Sequence, residues 1–253
     1  MSTSDEPLLR LRGVTKTFGA VEALAGVDLD VPGGAVTALA GDNGAGKSTL
    51  IKCIAGIYAP DAGEIIWEGS PVRLDGPAAA AALGIQTVYQ DLALCDNLDI
   101  VQNMFLGRER LRRRQLDDLS MEQAATDTLR DLAVTTVRSV RQHVASLSGG
   151  QRQSVAIAKA VLWESKLVIM DEPTAALGVA QTRMVLDLVR TLVDRGHAVL
   201  LISHNMTDVF QVADRVAVMR QGRMVDVRPI GEIDQRIVVD LMTTGQSDRE
   251  VAR

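Results

Sequence analysis

Hydrophobic and polar residues follow two different patterns near the start of the chain. Residues 27–31 (VDLDV) alternate strictly, which predicts a strand with one solvent-facing side. After a turn at 32–34, the run 35–40 (AVTALA) is typical of a parallel strand that is buried on both faces. A glycine-rich stretch comes next, and apolar residues then recur at helical spacing, at Leu50, Ile51, Cys53, Ile54 and Ile57. The predicted order is strand, glycine loop, helix.

Strands and helices alternate again along most of the remaining chain. Short strands are predicted at 64–68 after a turn at 60–63, at 85–90, at 167–170 and at 198–203, and a hairpin is predicted across Gln221 and Gly222. The alanine run 78–82 and the segment 180–194, which ends before Arg195 and Gly196, are predicted helices. This alternation favours an α/β domain built on a parallel sheet.

Between about 91 and 160 the strand pattern disappears and helical signals replace it. Asn97 or Asp99 can cap a helix that begins at Ile100 and runs to 106. Ser120 and Gln123 have the spacing of a capping box, ahead of an amphipathic stretch that reaches about residue 132. The sequence therefore predicts an α-helical insertion in the α/β domain.

The composition is that of an ordinary globular protein and narrows the choice of partners. With 253 residues, 47% of them hydrophobic, the chain can bury a core of normal size. The net charge of −5 and the pI of about 5.3 provide no broad positive field that would hold nucleic acid or an anionic bilayer. We therefore expect no nucleic-acid partner.

No segment of the sequence predicts membrane insertion or export. The apolar runs are much shorter than the roughly eighteen residues that a membrane-spanning helix needs, and the N-terminus (MSTSDEP) lacks the pattern of a signal peptide. We expect the chain to stay in the cytosol. Cys53 and Cys95 share no metal-type or redox spacing, so we expect reduced thiols, with Cys53 packed in a helix.

The glycine stretch at 41–49 (GDNGAGKST) fits the phosphate-loop pattern G-x-x-x-x-G-K-[ST]. In such a loop successive backbone N–H groups and a helix N-terminus point at one anion. Lys47 would reach the β and γ phosphates, and the Ser48 hydroxyl would ligate Mg²⁺, with Thr49 as its neighbour. The alternative, a chance glycine-rich turn, is disfavoured by the strand before it and the helix after it. The predicted nucleotide contacts are Gly41, Asp42, Asn43, Gly44, Ala45, Gly46, Lys47, Ser48 and Thr49.

A second predicted site follows the apolar strand 167–170, which ends in Asp171 and Glu172. The carboxyl ends of strands in an open parallel sheet are where ligands bind, so both acids are expected in the same crevice as Lys47. Asp171 suits holding Mg²⁺ through its water shell, and Glu172 suits polarising an attacking water. The alternative is an ordinary solvated loop, which the phosphate loop in the same chain disfavours.

Two further residues follow predicted strands. His204 comes after strand 198–203 and could hydrogen-bond a γ-phosphate oxygen, although a lone histidine in such a place is more often structural. Gln90 ends strand 85–90, and its amide could contact both Mg²⁺ and the attacking water. The alternative for Gln90 is a surface side chain.

These motifs together resemble the ATP-binding subunits of ABC transporters. The motif LSGGQ at 147–151 lies between the phosphate loop and the paired acids, and the resemblance extends from about Leu8 to about Val227. It implies a P-loop NTPase fold of the RecA-like kind, with a parallel sheet core, an N-terminal antiparallel β subdomain and an α-helical subdomain insertion. The implied boundaries are a single ATPase domain over 8–243, with the core and β subdomain at 8–90 and 161–243, the helical subdomain at 91–160, and polar tails at 1–7 and 244–253.

The resemblance also implies roles for residues outside the phosphate loop. In this family two ATPase domains pair head to tail, so Ser148, Gly149, Gly150 and Gln151 of one chain would face the γ-phosphate of the other. The serine hydroxyl, the two glycines and a helix beginning near Gln151 are consistent with that task. Phe18 matches the aromatic residue that stacks on adenine, although a core or strand-edge phenylalanine is the alternative.

The segment after the paired acids departs from the family pattern. The family usually continues with Ser-Ala-Leu-Asp, whereas this chain has Ala-Ala-Leu-Gly, so Gly178 replaces an aspartate that helps to couple the two sites. Tight communication between the sites is therefore in doubt, while nucleotide binding and the chemistry of Glu172 are not.

Within the family, the chain is similar to the ATPases of ribose-, xylose- and fructose-type monosaccharide importers. The stretches GIYAPDAGEI, GIQTVYQD and LDIVQNMFLGRE carry this similarity. It implies ATP and Mg²⁺ as cofactors, a second ATPase subunit and a transmembrane permease as partners, an indirect link to an extracytoplasmic sugar-binding protein, and a place at the cytoplasmic face of the membrane. An exporter ATPase and a non-transport soluble ATPase are the alternatives. The arginine run at 108–114 (RERLRRR) could contact the permease or lipid headgroups, although a solvated loop is the commoner reading of such a run.

Overall fold

The computed structural model describes residues 6–246 and contains two main sheets. The strands are β1 (Leu9–Phe18), β2 (Val21–Val31), β3 (Val36–Ala40), β4 (Ala62–Trp67), β5 (Ser70–Val72), β6 (Ile85–Val88), β7 (Leu111–Arg112), β8 (Gln115–Leu116), β9 (Leu167–Asp171), β10 (Ala198–Ile202), β11 (Arg215–Arg220) and β12 (Arg223–Pro229). The helices are α1 (Lys47–Ile54), α2 (Pro77–Ala82), α3 (Ile100–Phe105), α4 (Asp118–Asp131), α5 (Gly149–Val161), α6 (Val179–Asp194), α7 (Met206–Val212) and α8 (Gln235–Thr244).

The larger sheet has six strands in the order β12-β11-β3-β10-β9-β6. All neighbouring strands in it are parallel except the β11–β12 hairpin, which turns at Gln221 and Gly222 as predicted. Every residue of β3 and of β10 is buried, as their apolar sequences indicate for strands covered on both faces. The predicted α/β fold with a parallel core is confirmed.

The smaller main sheet is antiparallel, in the order β2-β1-β4-β5. The strictly alternating residues 27–31 form the second half of β2, with Val27, Leu29 and Val31 buried. The strand predicted at 64–68 is β4, which pairs with β1 in this sheet. This is the antiparallel β subdomain that the resemblance implied.

The core is divided between the two faces of the large sheet. Ala38 of β3 packs in a cluster with residues of α3 to α8, whereas its neighbour Leu39 packs with α1 and the antiparallel sheet. Successive side chains of a strand point to opposite faces, so one short strand joins both halves of the core. Burial on both sides holds the carboxyl ends of the central strands in place.

The insertion after β6 is mainly helical, and its details correct two predictions. Of the two candidate caps, Asp99 caps α3, and its side chain accepts from the Gln102 backbone N–H. The capping box predicted for Ser120 and Gln123 is wrong, because α4 begins earlier, at Asp118, and the Asp117 side chain accepts from the Ser120 N–H. The first acid ahead of the helix is the cap, and Ser120 lies inside the first turn.

The prediction that strands are absent between 91 and 160 is also wrong. β7 and β8 form a small antiparallel hairpin whose first strand and turn lie in the arginine run at 108–114. Strands of two residues are too short to show a period-two pattern, which is why the sequence did not reveal them.

Other predicted boundaries shift by a few residues. Ile57 lies beyond the end of α1 and is exposed, so it is not part of the buried helix face. β6 ends at Val88, which leaves Gln90 in the following loop. Helix α8 continues to residue 244, where a polar tail was predicted, while the rest of that tail after 246 and residues 1–5 lie outside the described range.

Cys53 is buried in α1 and Cys95 is partly buried, and both are free thiols. Burial raises the pKa of the Cys53 thiol to about 11. Within residues 6–246, no helix has the length and apolar character needed to cross a bilayer.

Candidate active site

The glycine loop joins β3 to α1, and two of its glycines are required by the backbone around them. A Cβ on Gly41 would lie 2.4 Å from the carbonyl oxygen of Met219, at the end of neighbouring β11. A Cβ on Gly46 would lie 2.6 Å from the carbonyl oxygen of Ala23, and Gly46 has a φ of 104°. The loop is therefore clamped between β11 and β2, in a shape that side chains at these positions would not permit.

The start of α1 has the properties of an anion site. No side chain caps this helix, so the backbone N–H groups of its first turn have no partner from a capping residue. The Lys47 amino group, which is largely buried, donates to the carbonyl oxygens of Gly41 at 2.6 Å and Asp42 at 3.0 Å. Burial lowers the Lys47 pKa, while the negative charges of Glu172, Asp171 and Asp42 act in the opposite direction. A phosphate would offer this cation a stronger acceptor than two carbonyls.

Asp171 lies at the carboxyl end of β9, in register with Ile202 of β10. Burial and the charge of Glu172 raise the pKa of Asp171, against the opposing effect of Lys47 and Lys52. Two adjacent acids with partly buried side chains are a costly arrangement unless a cation is close. The prediction that these acids share a crevice with Lys47 agrees with their mutual electrostatic effects.

Glu172 has a backbone conformation that the sequence did not indicate. Its φ is 51°, a region that side chains rarely adopt, and its N–H donates to the Ile202 carbonyl oxygen at 2.9 Å. Strained backbone of this kind persists only where its surroundings hold it, and it clusters at functional sites. The bond to β10 places Glu172 beside the loop that carries His204.

The structure joins two of the predicted residues directly. His204 Nδ1 lies 2.8 Å from Glu172 Oε1, and the Glu172 side chain is mostly buried whereas that of His204 is exposed. With the proton on Nδ1, the imidazole donates to one carboxylate oxygen and leaves the other free to contact water. Sequence spacing did not predict this contact, because the two residues lie 32 positions apart and meet only through the pairing of β9 with β10.

Gln90 follows β6 of the large sheet, and Phe18 ends β1 of the antiparallel sheet. Gln90 is exposed in the loop after β6, and in residues 6–246 its side chain makes no hydrogen bond. Phe18 is the last residue of β1, is 43% exposed and packs edge-on against Tyr58, with ring centroids 5.2 Å apart. Its half-exposed ring is consistent with the stacking role, and Tyr58 is a neighbour that the sequence gave no reason to single out. Ser48 is exposed and Thr49 is partly buried in the first turn of α1.

Ser148 is the N-cap of α5 and is exposed. Its side chain accepts from the Gln151 N–H, while the Gln151 side chain accepts from the Ser148 N–H, which makes a capping box. Helix α5 thus begins two residues before Gln151. Across the described residues, no hydrogen bond or ion pair links this motif to the glycine loop.

Gly149 and Gly150 differ in their surroundings. A Cβ on the buried Gly150 would lie 2.7 Å from the Met184 Cε and 3.0 Å from the Gln181 Cβ, so this glycine is needed for packing against α6 of the same chain. Gly149 is exposed, and a Cβ there would lie 3.0 Å from the Leu177 Cδ2. The absence of a side chain at Gly150 is therefore already required by packing within the chain, apart from any role toward the phosphate of a partner.

The loop between Glu172 and α6 is tied to the helix after His204. The Thr174 hydroxyl donates to Asp208 Oδ2 at 2.7 Å, and Asp208 is only 5% exposed. Gly178 is the N-cap of α6, has an ordinary φ of −73°, and would accommodate a Cβ with no atom within 4 Å. An aspartate would therefore fit at Gly178, and the glycine is not required by the fold.

Comparison with known protein families settles the relationship of the chain. The family model described as ABC transporter matches residues 24–175, which include the glycine loop, LSGGQ and the paired acids. The chain belongs to the ABC transporter family. It is 49% identical to the fructose import ATP-binding protein FrcA of Rhizobium meliloti, over 88% of this chain and 89% of that protein. It is 44% identical to the xylose/arabinose import ATP-binding protein XylG of Sulfolobus acidocaldarius, over 94% of each chain.

Other relatives in the ABC transporter family are longer. The ribose import ATP-binding protein RbsA 3 of Rubrobacter xylanophilus is 42% identical, over 94% of this chain but only 48% of that protein. Among solved structures, a nucleotide-free ATP-binding cassette from an ABC transporter superposes with a TM-score of 0.77 at 27% identity, over 91% of this chain and 97% of that one. A cassette in its ADP conformation gives a TM-score of 0.79 at 26% identity, over 94% and 95%. The chain therefore has the fold of an ABC ATP-binding cassette.

Proposed function

We propose that the chain is the ATP-hydrolysing subunit of an ABC importer for a monosaccharide. The observation that carries the chemistry is the convergence of Lys47, Asp171, Glu172 and His204 at one edge of the parallel sheet. The importer assignment is carried by relatives named for fructose, xylose/arabinose and ribose import. All three names are those of import proteins, which favours an importer over an exporter.

In this proposal the glycine loop binds ATP. The uncapped first turn of α1 and the Lys47 amino group would receive the phosphates, and Phe18 would stack on the adenine ring. The residues present fit Mg²⁺, since Ser48, Gln90 and Asp171 are oxygen ligands of the kind that this ion takes. When bound, Mg²⁺ supplies positive charge beside the phosphate oxygens.

Hydrolysis needs a group that orients and polarises a water. Glu172 is suited to this task, because its carboxylate is held by the His204 imidazole on one oxygen and by the β9–β10 pairing through its backbone. His204 therefore positions Glu172 in this structure, and contact of His204 with the γ-phosphate remains a prediction. Lys47 stabilises negative charge on the phosphates and takes no proton.

In this proposal LSGGQ at 147–151, the signature motif, serves a second subunit. Ser148, Gly149 and Gln151 lie at the N-terminus of α5, whose first turn contains no acidic residue. A head-to-tail pair would place that positive end on the nucleotide of the partner. The partners are then a second ATPase subunit and a transmembrane permease, which would hold the chain at the cytoplasmic face of the membrane and link it to a sugar-binding protein.

The catalytic part of the proposal is tested by steady-state kinetics on the purified chain. Glu172→Gln is expected to reduce ATP turnover by about 10²- to 10⁴-fold while ATP binding is kept, because only the water-polarising group changes. Lys47→Ala is the comparison variant and should weaken ATP binding itself. Wild-type turnover in Glu172→Gln would show that another group polarises the water.

Pairing is tested with the Glu172→Gln chain, which keeps ATP intact. ATP and Mg²⁺ should convert its monomers to dimers in light scattering, and ADP should not. Adding Ser148→Arg puts a bulky cation at the docking surface, so this double variant should bind ATP but remain monomeric. Dimers that survive Ser148→Arg would mean that the signature motif does not face the nucleotide of the partner. Transport of a panel of sugars by the chain co-purified with its permease tests the importer assignment.

A further inference from the structure

The β7–β8 hairpin lies in the helical insertion, is exposed from residue 111 to residue 116, and has one apolar and one cationic side. Leu111 pairs with Leu116, and Arg112 pairs with Gln115. Directly paired residues of an antiparallel ladder share a face, and successive pairs alternate between faces. The two leucines therefore lie together on one side of the hairpin, and Arg112 lies on the other.

The leucines are among the most exposed large hydrophobic side chains of residues 6–246. Leu111 is 67% exposed and Leu116 is 57% exposed, and Leu119, three residues further on, is 80% exposed. Leu106, at the other end of the segment, is 48% exposed. Single exposed apolar residues are normal, but Leu111 and Leu116 are paired neighbours on one face, and adjoining exposed apolar residues mark contact surfaces.

The turn of the hairpin consists of two arginines in an unfavourable conformation. Arg113 has a φ of 51° and Arg114 a φ of 69°, which is the pattern of a type I′ turn. Such turns favour Asn-Gly, so the chain carries two charges where a neutral pair would form the same turn with less strain. Because this strained backbone is retained at an exposed turn, we infer that the positive charges of Arg113 and Arg114 have a function.

The positive charge at the tip is not neutralised by the chain. Within the described residues, Arg112, Arg113 and Arg114 are exposed and form no ion pair. Three acids, Glu109, Asp117 and Asp118, flank the five arginines of 108–114, so residues 108–118 carry a net charge of +2 (five positive less three negative). The local charge thus differs in sign from the net charge of −5 of the whole chain.

Two further arginines extend the positive surface toward the body of the insertion. The Arg108 guanidinium lies 5.2 Å from the centroid of the Trp163 ring, and that of Arg110 lies 5.2 Å from the Phe105 ring. Both side chains remain exposed while stacked on these rings, so five arginines at 108–114 face solvent together.

We propose that the β7–β8 hairpin binds the surface of an anionic membrane directly and tip first, with Arg113 and Arg114 of the turn on lipid phosphates and the side that carries Leu111 and Leu116 in the headgroup boundary. Clusters of four to eight arginines or lysines are attracted to anionic lipid, and neighbouring exposed apolar residues add insertion. Because arginine is also common at protein interfaces, binding to the permease is the competing outcome of the test below. This contact goes beyond the proposed function and does not depend on the transported solute.

The test measures co-sedimentation of the purified full chain with vesicles. Phosphatidylcholine vesicles that contain phosphatidylglycerol should bind the chain, pure phosphatidylcholine vesicles should not, and salt should weaken the binding. Arg113→Asn combined with Arg114→Gly installs the favoured turn and removes two charges, so the hairpin is retained while the partition coefficient falls by about 30-fold. Leu111→Ser combined with Leu116→Ser should reduce binding but keep its salt dependence.

A matched control removes two exposed charges elsewhere. Arg223→Gln combined with Arg236→Gln changes the net charge equally and should leave vesicle binding within about 2-fold of wild type, since charges away from the lipid are screened. ATP turnover, measured on every variant, should stay at the wild-type rate and reports separately on the proposed function. The proposal is overturned if wild type binds neither kind of vesicle, if the control lowers binding as much as the hairpin variants, or if the hairpin variants lose only co-purification with the permease.

Discussion

The hydrogen bond between Thr174 and Asp208 should hold the loop that carries Glu172. Thr174→Val removes the hydroxyl and keeps the branched shape of the side chain. Asp208 then loses the hydroxyl that donates to its Oδ2 at 2.7 Å, while it remains 5% exposed. Hydrogen bonds to charged groups contribute about 1.5–3 kcal/mol, and a buried acceptor left without its donor cannot recover that loss from water.

The expected loss can be expressed as a melting temperature. For a chain of this size, 1 kcal/mol corresponds to about 2–4 °C, so Thr174→Val should melt about 3–12 °C lower than wild type. Thr174→Ser keeps the hydroxyl and loses one methyl group, and should cost no more than about 1 kcal/mol. Scanning calorimetry of both variants without nucleotide separates the hydrogen bond from the packing.

The same substitution should affect catalysis. Thr174 lies two residues from Glu172, whose strained backbone depends on its surroundings. We expect turnover in Thr174→Val to fall by about 10-fold with little change in KM, because the glycine loop is untouched and only the orientation of Glu172 changes. Thr174→Ser should recover most of the turnover.

A double-mutant cycle decides whether the two residues act through each other. If they do, Thr174→Val combined with Asp208→Asn should cost less than the sum of the single changes, with a coupling of about 0.5–3 kcal/mol. The reasoning would be refuted by a Thr174→Val chain that melts and turns over like wild type, or by strictly additive single changes.

Three further predictions concern Gly41, Asp171 and Gly178. Gly41→Ala should weaken ATP binding by about 10²-fold in titration calorimetry, because its Cβ would lie 2.4 Å from the Met219 carbonyl oxygen and must displace the loop. Asp171→Asn should raise the melting temperature at neutral pH, because the raised pKa of Asp171 means that folding disfavours its ionised carboxyl. Melts recorded across pH should show the full gain above that raised pKa, and no gain once the pH falls to the ordinary aspartate range. Gly178→Asp should stabilise the chain by a few tenths of a kcal/mol through the missing N-cap side chain, and in the Glu172→Gln background it should tighten ATP-driven dimers in light scattering.

Local patterns in the sequence were sufficient to predict the phosphate loop and the elements around it. The strand β3, the glycines and the apolar face of α1 each depend on neighbours within a few positions, and their spacing is visible without a fold. The same is true of Asp171 at the end of a buried run and of the alternating half of β2. Where the signal was too short, as in β7 and β8, or had competing candidates, as at the start of α4, the prediction was wrong.

Contacts between distant residues were decided only by the tertiary structure. His204 meets Glu172, and Thr174 meets Asp208, because β9 and β10 pair in parallel and bring their carboxyl ends to one edge. The left-handed backbone conformation of Glu172 also could not be predicted from the sequence, because a glutamate does not by itself favour that conformation. The sequence by itself thus determines which residue types the site contains. The hydrogen bonds that orient those residues depend on the tertiary structure, because burial of the sheet on both faces determines which loops become neighbours.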